Sequence, residues 1–224
     1  MMNDLKDKKI IVAGGSGLIG AAIIEGFKKI GAKPVNADIR GGDEYYNTHP
    51  DYIGSLNAIL DKYKPPGSNI NVFVNCTYPR DSITANDGMR LTTLTVANHM
   101  SLDGGSIINF GSIYGMVGSD LSLYTGTSMD MPVQYAQEKA GLIGLSRAVA
   151  ARFGKFKVRC NTICPGGVWN NQPPRFVERY IRHVPMGRMA TPEDIVGPTL
   201  FYASDLSRYV TGDRMMVDGG FTAL

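Results

Sequence analysis

The sequence contains few of the residues from which metal sites and disulfide frameworks are built. Among its 224 residues there are three cysteines and three histidines, and Cys76, Cys160 and Cys164 do not form a CxxC pair. An odd number of cysteines without metal-ligand spacing argues against a zinc site and against a secreted disulfide scaffold. We therefore expect reduced thiols, no bound metal and a cytoplasmic protein.

Strong charge and long apolar runs are also lacking. The formal net charge is +3, and no basic run is interleaved with aromatic residues, so neither nucleic acid nor a membrane surface is an expected partner. No apolar stretch approaches the roughly 18 residues that a transmembrane helix requires. The opening MMNDLKDKK is charged and leads into an apolar run, unlike a signal peptide. A small-molecule substrate is the partner that remains.

What the sequence does have is a regular alternation of short apolar runs with longer helical patterns. Strands are predicted at 8–14, 32–38, 43–47, 70–75, 106–112, 157–163 and 213–219. Helices are predicted at 17–31, 51–63, 83–101, from Val133 onward, and at 191–204. Continuous apolar strands separated by helices are typical of a parallel sheet covered on both faces. We expect a single doubly wound α/β domain over residues 1–224, with a sheet of about seven strands.

A glycine-rich turn joins the first predicted strand to the first predicted helix. The residues expected to hold a dinucleotide there are Gly14, Ser16, Gly17, Leu18, Ile19 and Gly20. Glycines permit a tight turn and a close approach of the backbone to a pyrophosphate, and the helix N-terminus supplies N–H groups. Asp38 ends the second predicted strand, where a carboxylate can accept both ribose hydroxyls and repel a 2′-phosphate. Since Arg40 can instead accept that phosphate, NAD is expected and NADP is the less favoured alternative.

Residues 133–153 contain a tyrosine and a lysine on one predicted helix face. Tyr135 and Lys139 lie one turn apart, and among the 11 tyrosines only Tyr135 has a lysine four residues further on. A phenol with a pKa near 10 is a poor base at neutral pH, whereas a neighbouring cation stabilises the phenolate. The alternative is a snorkelling lysine beside a half-buried tyrosine. We interpret the two residues as a proton-transfer pair.

Taken in their order along the chain, these motifs resemble the short-chain dehydrogenase/reductase family, whose members have a Rossmann fold. The resemblance is carried by the glycine turn at 14–20, Asn75, Ser112, Tyr135 with Lys139, Pro165-Gly166-Gly167, and VTGDRMMVDGG at 210–220. It implies that Tyr135 is the general acid/base, that Lys139 lowers the pKa of Tyr135 and binds the nicotinamide ribose, and that Ser112 orients the substrate oxygen. It also assigns Asn75, Pro165 and Gly166 to the cofactor site.

The resemblance further implies a homodimer or homotetramer, assembled through the helix that bears Tyr135. On one side of that helix the side chains are small enough for close packing, namely those of Ala140, Gly141, Gly144 and Ala148.

Several segments depart from the family's pattern. The spacing Gly14-x-x-Gly17-x-x-Gly20 is usual in the family's sugar-nucleotide branch, and Cys76-Thr77 adds bulk after Asn75. The segment from Asn75 to Ser112 is shorter than usual, so that the family's catalytic helix asparagine has three candidate positions, Asn86, Asn98 and Arg90. Residues 116–134, which we call the insert, are longer than usual, and with Tyr124 they are expected to form a wall of the substrate pocket.

The segment 169–185 occupies the place of the family's substrate lid. Its cationic residues are Arg175, Arg179, Arg182 and His183. They either receive an anionic substrate, such as a sugar phosphate or nucleotide sugar, or form the solvated face of a lid helix. The motif SIYG, the long polar insert and NNQP resemble members linked to the synthesis of bacterial surface sugars, including sialic-acid-like sugars.

These observations predict an NAD(P)-dependent oxidoreductase that interconverts a secondary alcohol and a ketone on a polar or sugar-derived substrate. Two alternatives remain. One is a sugar-nucleotide epimerase or dehydratase with tightly bound NAD, which the glycine spacing favours. The other is a non-catalytic dinucleotide-binding sensor, which the shortened segment before Ser112 favours.

Overall fold

Six strands form one parallel sheet. The computed structural model describes residues 2–39, 41–44, 52–62, 70–77 and 82–223, without the side chains of residues 52–53 and 82–86. The strands are β1 (Ile10–Ala13), β2 (Val35–Ala37), β3 (Val72–Asn75), β4 (Gly105–Phe110), β5 (Val158–Pro165) and β6 (Arg214–Val217). Their order is β2-β1-β3-β4-β5-β6, and each neighbouring pair is parallel. The predicted doubly wound, Rossmann-like α/β domain is thereby confirmed.

Helices cover both faces of this sheet. They are α1 (Leu18–Lys29), α2 (Tyr52–Lys62), α3 (Ser82–Met100), α4 (Val133–Phe153), α5 (Pro174–Ile181) and α6 (Val196–Ala203). Successive strand residues point to opposite faces, so Ile11 packs with residues of α2, α3 and α4, whereas Val12 packs with residues of α1 and α6. Burial on both faces explains why the strands are apolar throughout. Within the described ranges, no helix combines the length and the apolar character needed to cross a membrane.

The strand count differs from the prediction of about seven. Of the predicted strand at 43–47, Glu44 makes only an isolated parallel bridge to Ala37, and residues 45–47 lie outside the described part of the chain. At the outer edge of β2, the N–H of Asn36 donates to the Asp43 carboxylate at 2.9 Å, and the Glu44 N–H donates to the Asn36 carbonyl at 3.1 Å. A side chain thus accepts the hydrogen bond that a further strand's carbonyl would accept.

The predicted helix at 191–204 begins differently from an ordinary α-helix. Residues Pro192–Ile195 form a 3₁₀ turn that leads into α6. The Asp194 carboxylate folds back to accept a hydrogen bond from the Thr191 N–H at 2.7 Å. This carboxylate satisfies a donor at the helix start that has no partner in the helix itself.

The winding of the chain reverses between β1 and β3. Because β2 lies on one side of β1 and β3 lies on the other, the segments that follow β1 and β3 diverge. The Cys76 N–H donates to the Ala13 carbonyl at 2.9 Å, which ties the two strand ends together. In open α/β sheets, ligands bind in the crevice at such a switch point.

Gly20 and Gly54 offer a matched test of how tightly the turn after β1 is packed, because each is the third residue of its helix. A Cβ at Gly20 would lie 2.2 Å from the Gly14 carbonyl oxygen, whereas a Cβ at Gly54 would meet nothing within 4 Å. We expect Gly20→Ala to lower the free energy of unfolding by about 1–3 kcal/mol, and Gly54→Ala to raise it by about 0.5–1 kcal/mol. Urea unfolding followed by circular dichroism measures both. A Gly20→Ala protein as stable as the wild type would contradict this packing.

Candidate active site

A cavity of about 400 Å³ opens at the carboxyl edge of the sheet. Its lining comes from the start of α1, from the segments that follow β3, β4 and β5, and from the insert, α4 and α5. It therefore lies at the switch point that the strand order defines. Among the described residues that line it, Lys139 is the only charged side chain.

The glycine turn leaves no room for side chains beside the backbone. Gly14 has a φ of +76°, a conformation that glycine adopts readily, and a Cβ on Gly14 would lie 2.9 Å from the carbonyl carbon and oxygen of Cys76. Gly17 precedes α1 without a side-chain cap, so the first N–H groups of the helix have no capping side chain. A turn packed to this density at an uncapped helix start fits a pyrophosphate.

Asp38 lies beside this turn, as its assignment to the adenosine ribose requires. Its side chain is buried, with 4% exposed, and one carboxylate oxygen accepts the Ser16 N–H at 3.0 Å. Ser16 in turn donates to the Gly41 carbonyl at 2.5 Å and accepts from the Asn36 side-chain amide at 3.1 Å. Ser16 therefore joins the glycine turn to the end of β2, and Arg40 lies outside the described residues.

Ser112, Tyr135 and Lys139 all line the cavity. Ser112 follows β4, and its hydroxyl accepts the Tyr114 N–H at 3.2 Å. Tyr135 lies in the first turn of α4, and Lys139 one turn later donates to the Phe110 carbonyl at 3.0 Å. The Lys139 ammonium is 5.6 Å from the centroid of the Tyr135 ring. The fold thus brings together the three residues expected to be catalytic.

Burial has opposite effects on the two titratable groups of this trio. It raises the pKa of the Tyr135 phenol, and a hydrogen bond with Ser112 opposes that rise. It lowers the pKa of Lys139 to about 8, while the neighbouring Glu138 carboxylate acts in the other direction. The hydrogen bond with Ser112 thus favours the phenolate of Tyr135.

Asn75 belongs to a buried hydrogen-bond network. Its side-chain oxygen accepts from the Thr77 hydroxyl at 2.6 Å, and its amide lies 3.5 Å from the Asn109 oxygen. Asn109 donates to Ser146 at 3.0 Å, and Thr162 donates to Ser146 at 2.9 Å. Thr77 lines the cavity whereas Asn75 does not, so Asn75 contacts the site through Thr77. Sequence reasoning missed Asn109, although a lone amide in the apolar run SIINF was a usable signal.

Pro165 and Gly166, at and just after the end of β5, line the cavity, and their assignment to the cofactor stays a prediction. The backbone here is tightly enclosed, since a Cβ on Gly166 would lie 2.8 Å from the Tyr180 phenol oxygen. That phenol also accepts the Gly167 N–H at 2.5 Å. Tyr180 therefore fixes the segment that follows β5 against α5.

The three candidates for the family's helix asparagine lie at different places on α3. Arg90 is exposed and pairs with Asp87 at 3.1 Å, and Asn98 is exposed near the end of the helix. Neither lines the cavity. The side chain of Asn86 is outside the described residues.

The insert forms one wall of the cavity through Tyr124, Met129 and Met131, and its predicted role as a wall of the substrate pocket stays a prediction. It packs against α5, where the Tyr124 and Phe176 rings have their centroids 5.2 Å apart. Arg179 of α5 donates to the carbonyls of two insert residues, Ser122 at 2.9 Å and Thr125 at 2.6 Å. The insert and the lid helix are therefore one structural unit.

The cationic lid residues do not line the cavity. Arg179 binds insert carbonyls, Arg182 pairs with Glu178 at an exposed position, and His183 lies 3.7 Å from Asp120. Of the two interpretations offered by the sequence, the structure favours the solvated face of a lid helix. Among the described residues, no group of three or more His, Cys, Asp or Glu side chains is placed to hold a metal ion.

Known proteins resemble this chain along most of its length. A family model described as enoyl-(acyl carrier protein) reductase matches residues 85–222. The L-rhamnose 1-dehydrogenase (NAD(P)+) of Azotobacter vinelandii is 34% identical over 82% of this chain and 72% of the relative. The probable galactose dehydrogenase GalD of Rhizobium meliloti is 28% identical over 97% of this chain and 96% of the relative. A short-chain dehydrogenase from Leptospira borgpetersenii, solved with bound NAD+, superposes with a TM-score of 0.85 at 30% identity, covering 99% of this chain and 96% of that one.

The fold, the cavity at the switch point and these relatives together define an NAD(P)-dependent oxidoreductase. The chain belongs to the short-chain dehydrogenase/reductase family.

Arg179 and Arg182 provide a matched pair for testing how the insert is held. Arg179→Ala removes two charge-assisted hydrogen bonds to insert carbonyls, whereas Arg182→Ala removes only an exposed pairing with Glu178. We expect Arg179→Ala to accelerate hydrogen exchange of insert amides by about tenfold, and Arg182→Ala to leave it nearly unchanged. Hydrogen-exchange mass spectrometry of peptides from 116–134 measures this. Equal exchange in the two variants would show that aromatic packing alone holds the insert.

Proposed function

We propose that this protein interconverts a secondary alcohol and a ketone on a neutral, hydroxylated, sugar-derived substrate, with Tyr135 as the acid/base. The observation that carries the proposal is the convergence of Ser112, Tyr135 and Lys139 on a cavity with no other charged side chain among its described lining residues. The Tyr135–Ser112 hydrogen bond supports a role for Ser112 in holding the substrate oxygen next to the phenol.

In the proposed reaction, the alcohol loses a hydride from its carbinol carbon and a proton from its hydroxyl. The bound nicotinamide supplies the acceptor for the hydride. Tyr135 as phenolate takes the proton, and Ser112 donates a hydrogen bond to the same substrate oxygen. Lys139, held by the Phe110 carbonyl, provides positive charge near the phenolate. In the reverse direction, the phenol gives its proton to the carbonyl oxygen.

The cofactor assignments of the glycine turn, Asp38, Asn75, Pro165 and Gly166 remain part of this proposal. The packed turn at Gly14 and Gly20 is supported by the absence of space for a Cβ. Pro165 and Gly166 border the cavity beside Tyr135 and Lys139. Asn75 would act at a distance, by orienting Thr77.

A neutral substrate is favoured over a sugar phosphate or nucleotide sugar. An anion in the cavity would find only Lys139 as a cation among the described lining residues, and Lys139 is already engaged with Phe110. Desolvating a charged group without a partner is costly. The names of the rhamnose and galactose dehydrogenases given above support a sugar of this neutral class.

A homodimer or homotetramer and a cytoplasmic location also belong to the proposal. The four small residues of α4 named from the sequence, Ala140, Gly141, Gly144 and Ala148, are all exposed along that helix. An exposed, flat helix face without bulky side chains allows the close approach of a second copy.

NAD(H) is expected to bind more tightly than NADP(H), because the Asp38 carboxylate would repel a 2′-phosphate. We expect a preference of at least about tenfold, which Asp38→Asn should reduce while keeping an oxygen that can accept the Ser16 N–H. Titration followed by the fluorescence of the reduced cofactor measures both proteins. Equal or tighter binding of NADPH by the wild type would mean that Arg40 decides the preference.

Tyr135→Phe tests the proposed chemistry directly. The substitution keeps the ring and its packing but removes the proton carrier, so that kcat should fall by about 10² to 10⁴ while the thermal midpoint and NAD binding persist. Activity is followed by the absorbance of reduced cofactor over a panel of neutral aldoses, including L-rhamnose and D-galactose, beside sugar phosphates and nucleotide sugars. Net formation of reduced cofactor separates this function from an epimerase with tightly held NAD.

Tyr209→Phe is the matched control, because the Tyr209 side chain is fully exposed, and its rate should stay within about twofold of wild type. A Tyr135→Phe rate within about tenfold of the wild-type rate would contradict the assignment of Tyr135 as the acid/base. Turnover of the phosphorylated sugars in preference to the neutral ones would contradict the proposed substrate class.

A further inference from the structure

Two tyrosines other than Tyr135 face each other in the cavity. Tyr114 follows Ser112 by two residues, and Tyr124 belongs to the insert. Their phenol oxygens lie 3.0 Å apart, within hydrogen-bond distance, and both side chains line the cavity although only 6% and 7% of each residue is exposed. We call them the tyrosine dyad.

The hydrogen-bond capacity of the dyad is not exhausted. A phenol has one O–H donor and can also accept, so a single hydrogen bond between two phenols uses one donor and one acceptor. Within the described residues, neither oxygen has a hydrogen-bond partner other than its neighbour. One O–H donor and acceptor capacity on both oxygens therefore remain for a molecule in the cavity.

The surroundings of the dyad offer little to satisfy its unused hydrogen-bond donor and acceptors. The neighbouring wall is largely apolar: it contains the side chains of Met129, Met131, Phe176 and Met189, together with the phenol of Tyr180. A polar group in such a place is poorly compensated unless a ligand supplies a partner. Burial also raises the pKa of both phenols, so both stay protonated at neutral pH and the dyad stays uncharged.

We propose that the tyrosine dyad binds a second hydroxyl group of the substrate, on a carbon next to the one that is oxidised. A hydroxyl group both donates and accepts a hydrogen bond, and the dyad offers one O–H donor and an acceptor oxygen in return. The hydrogen bond between the phenols can also reverse its direction, because hydroxyl protons rotate. This inference rests on the proposed function and narrows its substrate to vicinal diols and the corresponding α-hydroxy ketones.

The position of Tyr135 is the reason for placing the second hydroxyl on the carbon next to the one that is oxidised. Tyr135 packs against the aromatic cluster that contains both members of the dyad, and all three side chains line the cavity. A substrate whose reacting oxygen meets Ser112 and Tyr135 thus has its adjoining atoms next to the dyad. The reaction itself is unchanged: the hydride leaves one carbon, the proton goes to Tyr135, and the second hydroxyl is only bound.

The test compares two ketones that differ by a single hydroxyl, 2-hydroxycyclohexanone and cyclohexanone. Their reduction is followed by the loss of reduced cofactor in the wild type, Tyr114→Phe, Tyr124→Phe and the double variant. We expect the wild type to prefer 2-hydroxycyclohexanone in kcat/KM by about tenfold, and each single variant to reduce that ratio by roughly three- to tenfold. The double variant should lose little more than the worse single variant, because the two phenols act as a unit.

Tyr209→Phe is the control, since it removes a fully exposed phenol that does not line the cavity. It should leave kcat/KM for both ketones, and their ratio, within about twofold of the wild type. Ratios that stay unchanged in both dyad variants, or that fall equally in Tyr209→Phe, overturn the inference and leave the proposed function standing. Absence of turnover by the wild type on these ketones and on the whole sugar panel overturns the proposed function, and the inference with it.

Discussion

The hydrogen bond from the Lys139 ammonium to the Phe110 carbonyl organises the rest of the site. An ammonium with 6% of its residue exposed is stable only where the protein supplies acceptors for its N–H groups. The Phe110 carbonyl lies at the end of β4, where the strand ladder has finished and its oxygen can accept a side chain. This contact ties α4 to the end of β4, at a point one turn after Tyr135 and two residues before Ser112.

The insert forms part of the cavity wall around this trio. It contributes Tyr124, Met129 and Met131 to the cavity, and α5 holds it in place through Arg179 and through the packing of Phe176 on Tyr124. Arg179 and Arg182 of the lid bind outside the cavity, on insert carbonyls and on Glu178 respectively. The cavity is left with an apolar wall and phenol hydroxyls, which is the basis on which a neutral, hydroxylated substrate is proposed above. The packing of the insert on α5 thus places the charged lid side chains outside the cavity and the phenol hydroxyls inside it.

Local motifs could be predicted from the sequence because their chemistry depends on neighbours along the chain. The glycine turn, Asp38 at the end of β2, and the i, i+4 relation of Tyr135 and Lys139 are of this kind. The predicted strand at 43–47 lies mostly outside the described residues, and within them only Glu44 forms a bridge to β2. The hydrogen bonds at a sheet edge depend on nearby side chains, as the Asp43 carboxylate shows at the Asn36 N–H. The Asn109–Ser146 contact joins residues far apart in sequence, and so does the Arg179 contact with the insert. Contacts between residues so far apart produce no repeating pattern in the sequence, so sequence patterns alone cannot predict which residues pair.

The pKa values of Tyr135 and Lys139 are shifted in opposite directions, and this affects the proton transfer proposed at Tyr135. Burial favours the neutral form of each partner, raising the pKa of the phenol and lowering that of Lys139 to about 8. As the pH rises through about 8, Lys139 loses the positive charge that would stabilise a phenolate. Tyr135, however, needs a higher pH to lose its proton and become a phenolate. The two titrations therefore oppose each other, and the protons belong to the pair rather than to either residue. The hydrogen bond from Ser112 does not titrate in this range, and Glu138 favours the charged lysine. The Ser112 hydrogen bond thereby widens the interval in which a phenolate and an ammonium coexist, whereas Glu138 favours the ammonium of Lys139 but disfavours the phenolate of Tyr135.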